Sequence, residues 1–402
     1  MTTTPRLLFV SHSGVIAGSE LTLCELVGQL AKTGLARPAV VFPSDGPLVA
    51  RIRELGIPTW ITPYGRWADL PMPIHRKVAM EIRNVLAVQP LARLFRSQRP
   101  DAVISNTLTV PSGALAARRA RIPHLWHVHE YGAPEHGVNF HFGRRSSLRL
   151  VGLLSRCVIV PSRFLERELA GHVRVPIRVV RQGAEVPDLP PPASTEGGSS
   201  PCRLLVLGYK VPGKGQEDAI RAVALLNRSG VDATLSLVGA NSPGYVGHLE
   251  RLVSALGVGD LVEFVEFSDD PFNVLARSDV LLMCSRKEGF ARPIVEAMKL
   301  GRPVVAARSG AVPELVTDGE TGLLYEPGDP RDLAGRIRVL IEDPGKKDRL
   351  VQQARSWATE RFTLERYAAD FMRVVREALM ASPPDAESAG ERRSPGVSEE
   401  AV

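Results

Sequence analysis

The amino-acid sequence predicts an α/β protein of two doubly wound domains that face each other across a cleft. Short apolar runs alternate with segments of helical periodicity through residues 1–184, which is the pattern of a parallel sheet with crossover helices. The composition then changes to EVPDLPPPASTEGGSSP, which offers almost nothing to bury and predicts a linker at residues 185–201. The same alternation begins again in residues 202–361, so a second sheet is predicted there. Such domains bind ligands at the carboxyl ends of their strands.

In the first domain, strands are predicted at short apolar runs and helices where apolar residues recur every three or four positions. The predicted strands are residues 6–11, 38–42, 57–61, 102–105, 124–129, 158–161 and 177–181. The predicted helices are residues 19–32, 48–55, 74–88, 111–119 and 162–169. Pro90 should interrupt the helical pattern that begins at residue 74.

The second domain repeats this pattern. Its predicted strands are residues 203–208, 233–238, 262–267, 280–283, 304–307 and 322–325, and its predicted helices are residues 216–227, 246–256, 273–277, 293–300 and 332–342. A last helical stretch is predicted at residues 346–380, with a break near Phe362. Residues 382–402 lack periodicity and predict a disordered tail.

Composition limits the class of protein. A length of 402 residues suits two cores, and an apolar content of 44% is typical of a soluble α/β enzyme. Because no secretion signal or membrane-spanning run is visible, a cytoplasmic protein is expected. The scattered cysteines, Cys24, Cys157, Cys202 and Cys284, have the spacing of neither a disulfide framework nor a metal site.

The net charge of +6 is unevenly distributed, because arginines crowd into the first half of the chain. A solvated surface is the simpler interpretation. The alternative is peripheral contact with the inner face of an anionic membrane, since residues 76–99 have the pattern of a basic amphipathic helix. Nucleic acid is not an expected partner, because basic and aromatic residues do not interleave.

Two carboxylates in SRKEGFARPIVEAMKLGRPVVAARSGAVPELV carry the main functional signal. Glu288 follows an apolar strand, and Glu296 lies eight positions later in a predicted helix. A carboxylate accepts two hydrogen bonds side by side, as the vicinal diol of a sugar offers them, and phosphates bind near helix N-termini. The pair therefore predicts a nucleotide-sugar site. A structural alternative is that each carboxylate only complements a helix dipole.

Glycine-rich and lysine-bearing loops supply the predicted phosphate contacts. Gly14 and Gly18, after the first strand, allow the backbone to approach an anion, although a plain tight turn has the same pattern. Their spacing is not that of the dinucleotide fingerprint. In GYKVPGKG, after the first strand of the second domain, Lys214 is placed to meet phosphate charge, with a solvated lysine as the alternative.

Histidines at the end of one strand raise the question of a metal. Strand alternation puts His127 and His129 on one face and Glu130 on the other. A His-x-His pair can begin a metal site, but only His136 and His141 offer further ligands and their spacing is unsuitable. No bound metal is predicted.

The combination of Glu-Gly-Phe, the seven residues between the carboxylates, Glu-Ala-Met, Gly-Arg-Pro-Val-Val, Gly310 and Pro313-Glu314 resembles the signature of the retaining glycosyltransferases of family 4, or glycosyl transferases group 1. The resemblance extends from residue 6 to about residue 371 and implies the GT-B fold, two Rossmann-like domains across a cleft. It also implies that residues 1–184 form the acceptor side, that residues 202–361 bind the donor, and that residues 362–381 return to the first domain.

The resemblance also implies roles for the residues of the Glu288 block. Glu296 would bind the ribose hydroxyls of the nucleotide, and Glu288 would face the donor sugar. Backbone amides of Gly289, Phe290 and Ala291 would meet the sugar or the phosphates. The loop of Gly310 would either close the base pocket or pack behind it, and these two roles are not separated by the sequence.

Outside that block, the resemblance implies a catalytic position for His129, near the transferred sugar. Gly18 and its neighbours would approach the donor. Lys214 fits the family's Lys-Gly pattern, but Tyr209 stands where the family has an arginine. Either the adjacent Lys210 replaces that cation, or the diphosphate is held more weakly.

The function implied is retaining, metal-independent transfer of a hexose by His129, Glu288 and Lys214. The donor would be a UDP- or GDP-sugar, used without a further cofactor, and the acceptor a hydroxyl of a glycan, glycolipid or small molecule. Such transfer belongs to polysaccharide or glycoconjugate biosynthesis. Three alternatives stay open: a catalytically silent nucleotide-sugar-binding protein, a sugar-nucleotide epimerase, and a metal-dependent hydrolase built on His127 and His129.

Overall fold

A computed structural model of the chain describes residues 4–69, 71–189, 201–242, 244–266, 268 and 270–381. Most of the predicted linker and the whole predicted tail at 382–402 lie outside these residues. Within them, the structure confirms an α/β fold of two Rossmann-like domains, each with its own parallel sheet. In the ranges just given, no helix has the length and apolar character required to cross a membrane.

In the described residues of the first domain there are nine strands, seven of which form one parallel sheet. The strands are β1 Arg6–Val10, β2 Arg37–Phe42, β3 Thr59–Ile61, β4 Ala68–Asp69, β5 Ala102–Asn106, β6 His124–His127, β7 Asn139–Phe140, β8 Cys157–Val160 and β9 Ile177–Val179. The sheet order is β3-β2-β1-β5-β6-β8-β9, and β4 pairs with β7 in a separate antiparallel ribbon. Every residue of β5 is buried, as expected for a central strand covered by helices on both faces.

The part of the first domain that the structure describes has six α-helices: α1 Gly18–Lys32, α2 Pro47–Glu54, α3 Ile74–Gln98, α4 Ser112–Ala120, α5 Arg144–Leu154 and α6 Arg163–Ala170. The sequence did not predict α5 or the β4–β7 ribbon. The buried residues Leu148, Val151 and Leu154 give α5 its apolar face, but its many arginines obscure that periodicity.

The predicted interruption at Pro90 is wrong, because α3 continues through it for two further turns. Pro90 lies on the exposed side of the helix, where its ring meets solvent. Leu91 and Phe95 are buried beyond it, and this packing outweighs the loss of one backbone hydrogen bond.

The second sheet has six parallel strands in the order β12-β11-β10-β13-β14-β15. The strands are β10 Cys202–Leu207, β11 Ala233–Val238, β12 Val262–Val265, β13 Val280–Met283, β14 Val304–Ala307 and β15 Leu323–Tyr325. The helices are α7 Gln216–Arg228, α8 Tyr245–Leu256, α9 Pro271–Arg277, α10 Arg292–Lys299, α11 Pro330–Glu342, α12 Pro344–Arg361 and α13 Leu364–Met380. These elements match the predicted ones to within a few residues.

The strand order reverses between β1 and β5 and again between β10 and β13. Crevices form at such switch points, just beyond the carboxyl ends of the strands. The loops after β1, β6, β10 and β13 therefore point toward the region between the two sheets. These are the loops in which the sequence placed the candidate site.

The last helix crosses back to the first domain. The predicted break is confirmed, since α12 ends at Arg361 and the Thr363 hydroxyl caps α13 by accepting from the Arg366 amide at 3.2 Å. Along α13, Phe371 stacks on Phe9 of β1 with ring centroids 6.0 Å apart. Residues of α13 therefore complete the core of the first domain.

This packing predicts that Phe371→Ala lowers the free energy of unfolding of the first domain by about 3–5 kcal/mol, because it leaves a cavity beside β1. Denaturant unfolding monitored by intrinsic fluorescence measures the loss. Met380→Ala, at an 83% exposed position of the same helix, is the matched control. Equal stability of the two variants would contradict the role of α13.

Candidate active site

The loops after β6 and β13 meet between the domains. A Cβ on Gly289 would lie 2.6 Å from the carbonyl oxygen of His129, so only glycine allows this approach. From the first domain, the Ser162 hydroxyl donates to the Gly289 carbonyl at 2.6 Å. The structure therefore brings two predicted site residues, His129 and Gly289, into contact.

A lysine and a carboxylate are paired beside this contact. The Lys214 ammonium donates to Glu288 Oε1 at 2.5 Å. Burial alone would raise the pKa of the Glu288 carboxyl, but Lys214 outweighs burial and holds the pKa below its usual value. Glu288 is therefore ionised at neutral pH, and the pair has no net charge.

Two glycines explain how the pair forms. Gly215 has a positive φ of 65°, and a Cβ there would lie 2.1 Å from the Cys284 carbonyl oxygen, so the lysine loop lies directly on the end of β13. Gly310, with a φ of 55°, packs its backbone on that of Glu288, where a Cβ would come within 2.4 Å of the Glu288 nitrogen. The Ala311 amide also donates to the Glu288 carbonyl at 2.9 Å. Gly310 thus packs against the backbone of Glu288.

The side chains of Phe290 and Ala291 belong to the core of the second domain, not to the cleft. Ala291 is buried, and Phe290 lies against Phe362 with ring centroids 6.1 Å apart. The predicted contacts of these two residues can therefore involve only their backbone.

His129 is held by hydrogen bonds at both ring nitrogens. The Gln182 amide nitrogen lies 2.7 Å from Nδ1, and Asn106 Oδ1 lies 2.7 Å from Nε2. These partners fit the tautomer with the proton on Nε2. Burial and the neighbouring His127 hold the pKa of His129 well below its usual value. The imidazole is therefore neutral and fixed in orientation.

The other histidines have separate partners. His127 is fully buried, its pKa falls to about 3 through burial, and it lies 3.2 Å from the Tyr367 hydroxyl. His141 pairs with Glu81 at 2.6 Å, and His136 packs against Gly213. Across the described ranges, the structure brings no three His, Cys, Asp or Glu side chains together in a metal-binding group.

The loop after β1 is organised by Glu20. This buried carboxylate accepts hydrogen bonds from Ser13 at 2.6 Å and Ser19 at 2.9 Å and pairs with His12 at 2.9 Å. Burial alone would raise the pKa of Glu20, but His12 and the two hydroxyls lower it to about 2. The same pair raises the pKa of His12, although burial opposes this. The loop is therefore held by three side chains that contact one buried carboxylate.

The two predicted glycines of this loop differ. A Cβ on Gly14 would lie 2.8 Å from the Ser44 carbonyl oxygen, so packing against the start of α2 explains this glycine. Gly18 is exposed in the first turn of α1, and a Cβ there would meet nothing within 4 Å. Open space in front of a helix N-terminus suits an anion.

Lys210 is not part of the cleft cluster. The residue is 1% exposed, and its ammonium donates to the carbonyls of Gly239 at 2.5 Å and Val265 at 2.6 Å. Burial lowers its pKa. Tyr209 instead lies toward the first domain, where burial and the nearby Asp69 raise its pKa. Of the two lysines in this loop, only Lys214 approaches Glu288.

Sequence reasoning gave no role to Arg292, which the structure places between the domains. Its Nε donates to Glu296 Oε1 at 2.6 Å, while Nη1 and Nη2 donate to the two oxygens of Glu25 in α1 at 2.6 and 2.7 Å. The side chains of Arg292, Glu25 and Glu296 are 8%, 10% and 7% exposed. Burial would lower the pKa of Arg292, but Glu296 and Glu25 together raise it. The four-residue spacing of Arg292 and Glu296 can be read from the sequence, whereas the ion pair between Arg292 and Glu25 cannot.

Other polar contacts join the two domains around the triad of Arg292, Glu25 and Glu296. The Glu314 carboxylate accepts from the backbone amides of Phe164 at 2.8 Å and Arg163 at 3.0 Å, at the N-terminus of α6. Lys299 donates to the Ala184 carbonyl at 2.7 Å. The predicted Pro313-Glu314 segment thus contacts the first domain.

Comparison with known proteins matches two family models to this chain. The model described as "Glycosyl transferases group 1" matches residues 199–357, and "Glycosyl transferase 4-like domain" matches residues 17–183. Together the two models cover every strand of the two parallel sheets except β1.

Solved structures and curated relatives agree with these matches. HepE from Anabaena, in complex with UDP and glucose, superposes with a TM-score of 0.77 at 26% identity, over 92% of this chain and 99% of HepE. The MMP alpha-(1->4)-mannosyltransferase of Mycolicibacterium hassiacum is 37% identical over 179 residues, which are 44% of this chain and 43% of the relative. The N-acetyl-alpha-D-glucosaminyl L-malate synthase of Bacillus anthracis is 32% identical over 166 residues, 41% of this chain and 43% of the relative. The chain thus spans less than half the length of these two curated relatives.

The Arg292 triad predicts a large loss of stability for Glu25→Gln. The variant leaves Arg292 buried with one carboxylate and should lower the free energy of unfolding by about 3–5 kcal/mol. Chemical denaturation measures this free energy of unfolding. Glu54→Gln, at an exposed position of α2, is the control. A loss no greater than that of the control would show that the triad does not hold the domains.

Proposed function

Because this chain belongs to the group 1 glycosyltransferases of family 4, which have the GT-B fold, we propose that it moves a hexose from a nucleoside diphosphate sugar to an acceptor hydroxyl with retention of anomeric configuration. The observation that carries the proposal is the Lys214–Glu288 pair, which lies beside the contact between His129 and Gly289. The Lys214 cation suits the phosphates of such a donor, and the ionised Glu288 carboxylate suits its sugar hydroxyls. The neutral His129 suits the sugar ring.

Lys214 has the role of stabilising the leaving diphosphate. As the bond between the anomeric carbon and phosphate breaks, negative charge grows on the phosphate oxygen, and a nearby ammonium lowers the energy of that state. The acceptor oxygen bonds to the anomeric carbon on the same face, and its proton passes to the departing phosphate. No protein general base is required in this scheme.

Glu288 has a positioning role in the same scheme. Its lowered pKa keeps it ionised, so it accepts hydrogen bonds from sugar hydroxyls and does not serve as an acid. His129, neutral and fixed at both nitrogens, borders the sugar without exchanging a proton.

Glu296 is assigned to the ribose of the nucleotide. Arg292 occupies Oε1 of this carboxylate, and within the described part of the chain Oε2 has no recorded hydrogen bond. Because Arg292 already engages Oε1 of this nearly buried side chain, Oε2 is the oxygen left to accept from the ribose hydroxyls.

The donor is proposed to be a UDP- or GDP-sugar, and the crystal structures of HepE with UDP and UDP-glucose support the first choice. The acceptor is proposed to be a hydroxyl of a glycan, glycolipid or small molecule in the assembly of a polysaccharide or glycoconjugate. Cytoplasmic location and independence of metal ions complete the proposal.

A second candidate is a catalytically silent protein that binds nucleotide sugars. The burial of Lys210 favours it, because that lysine does not replace the family arginine whose place Tyr209 occupies. The two candidates differ in turnover. Hydrolysis or transfer from any sugar in a panel of UDP-, GDP- and dTDP-sugars excludes the silent protein.

Lys214→Ala is expected to reduce kcat for donor turnover by at least about 100-fold, since one preorganised charge contact contributes that much to a transition state. Coupled detection of released nucleoside diphosphate measures the rate. Lys32→Ala, an exposed lysine of α1, is the control. Wild-type turnover in Lys214→Ala would refute the phosphate role.

Thermal denaturation with the same panel should identify the donor class, because a ligand at 100 times its Kd stabilises the fold by about 2.7 kcal/mol. Glu296→Ala should lose most of this shift. Addition of EDTA should change neither the shift nor the turnover. Loss of turnover with EDTA would instead favour the metal-dependent hydrolase.

A further inference from the structure

The solvent-facing side of α3 carries a row of large apolar residues. Ile74, Val78, Ile82, Val85 and Leu86 are between 51% and 74% exposed, and the adjacent Phe142 is 60% exposed. Between them lies an open groove of about 430 Å³. The opposite side of α3 is occupied by buried core residues. These six exposed residues, named the α3 patch below, form the kind of apolar surface that marks a contact site.

Positive charge surrounds the α3 patch. Residues 71–99 and 139–149 contain nine Lys or Arg and one acidic residue, Glu81. Helical spacing puts Arg76 and Arg83 along one edge of the apolar row and Lys77 on the other edge. Glu81 is itself engaged, since it lies 2.6 Å from His141 Nδ1 and 3.1 Å from Asn84 Nδ2.

We propose that the α3 patch docks this protein on an anionic lipid bilayer, with α3 lying in the plane of the interface. Apolar side chains on one helix face enter the boundary between headgroups and acyl chains, and flanking lysines and arginines attract anionic headgroups. Both features are combined on α3.

Charge distinguishes a bilayer from a second copy of this chain. In a symmetric dimer through the α3 patch, each arginine-rich edge would meet another arginine-rich edge. Like charges facing one another oppose association, whereas an anionic surface complements them.

The α3 patch adjoins the cleft through the segment at residues 64–69. The Tyr64 hydroxyl donates to the Ser11 carbonyl at 2.5 Å, at the start of the cleft loop, and the Gly65 amide donates to Asn84 of α3 at 3.1 Å. If the proposed transferase activity holds, on which this step rests, docking turns the cleft toward the membrane surface. The acceptor hydroxyl then belongs to a molecule held at the lipid headgroups.

The test is co-sedimentation of the full chain with phosphatidylglycerol vesicles and with phosphatidylcholine vesicles at low and high salt. The wild type should bind the anionic vesicles, and 0.5 M NaCl should weaken that binding. Ile82→Glu/Val85→Glu and Arg76→Glu/Arg83→Glu should each weaken it by at least about tenfold.

Two matched controls lie outside the α3 patch. Leu153→Glu replaces an apolar residue that is 71% exposed on α5, and Arg228→Glu reverses an exposed charge on α7. Both should bind vesicles as the wild type does. Equal binding to phosphatidylcholine, no vesicle binding, or a dimer that the Ile82→Glu/Val85→Glu variant abolishes would each overturn the proposal.

Donor turnover without vesicles separates this proposal from the proposed function. Both patch variants should retain the wild-type thermal shift with donor and the wild-type rate of donor hydrolysis. Failure of vesicle binding with intact turnover overturns docking alone, whereas vesicle binding without turnover overturns the transferase activity alone.

Discussion

The arrangement of the cleft depends on the ion pairs of the Arg292 guanidinium. It forms a bidentate pair with Glu25 of the first domain and a single hydrogen bond with Glu296 of the second, all in a nearly buried position. A buried arginine without carboxylates would be strongly unfavourable, so the two domains are held where both carboxylates reach it. Arg292 is also the first residue of α10, directly after the loop that carries Glu288. The position of α1 relative to that loop is therefore fixed by the same ion triad.

Glycines set the finer geometry, because three close backbone contacts leave no room for a side chain. Gly215 lies on Cys284, Gly289 on His129 and Gly310 on Glu288. The first and last of these contacts lie within the second domain and bring Lys214 to Glu288, while the middle one crosses between the domains. The cluster of Lys214, Glu288 and His129 is therefore positioned by backbone packing together with the ion pair of its charged side chains. Lys214 pairs with Glu288 although Tyr209 occupies the place of the family arginine.

Local sequence patterns were sufficient to predict the two sheets and the break before α13, because each depends on runs of neighbouring residues. The expectation that Lys214 lies in one cleft with Glu288 and Gly289 came from the family resemblance. Long-range partners were not visible. Glu25 lies in α1, far along the chain from Arg292, and no periodicity connects them. The inward direction of Lys210 depends on the carbonyls of Gly239 and Val265, which only the folded sheet brings together. The predictions at Pro90 and α5 failed for a different reason. Burial of Leu91 and Leu148 in the core outweighed the helix-breaking signal of the proline and the arginine-rich pattern of α5.

The charges of the cleft suggest an order of events. Without a donor, the Lys214–Glu288 pair is neutral and His129 is uncharged. In the proposed reaction, the donor diphosphate competes with Glu288 for the Lys214 ammonium, because it carries more negative charge than one carboxylate. Once Lys214 turns to the phosphate, Glu288 remains ionised and accepts hydrogen bonds from hydroxyl groups of the sugar. In this scheme, the Lys214–Glu288 ion pair holds both side chains in position before the donor binds. After binding, Lys214 contacts the diphosphate and Glu288 contacts the sugar.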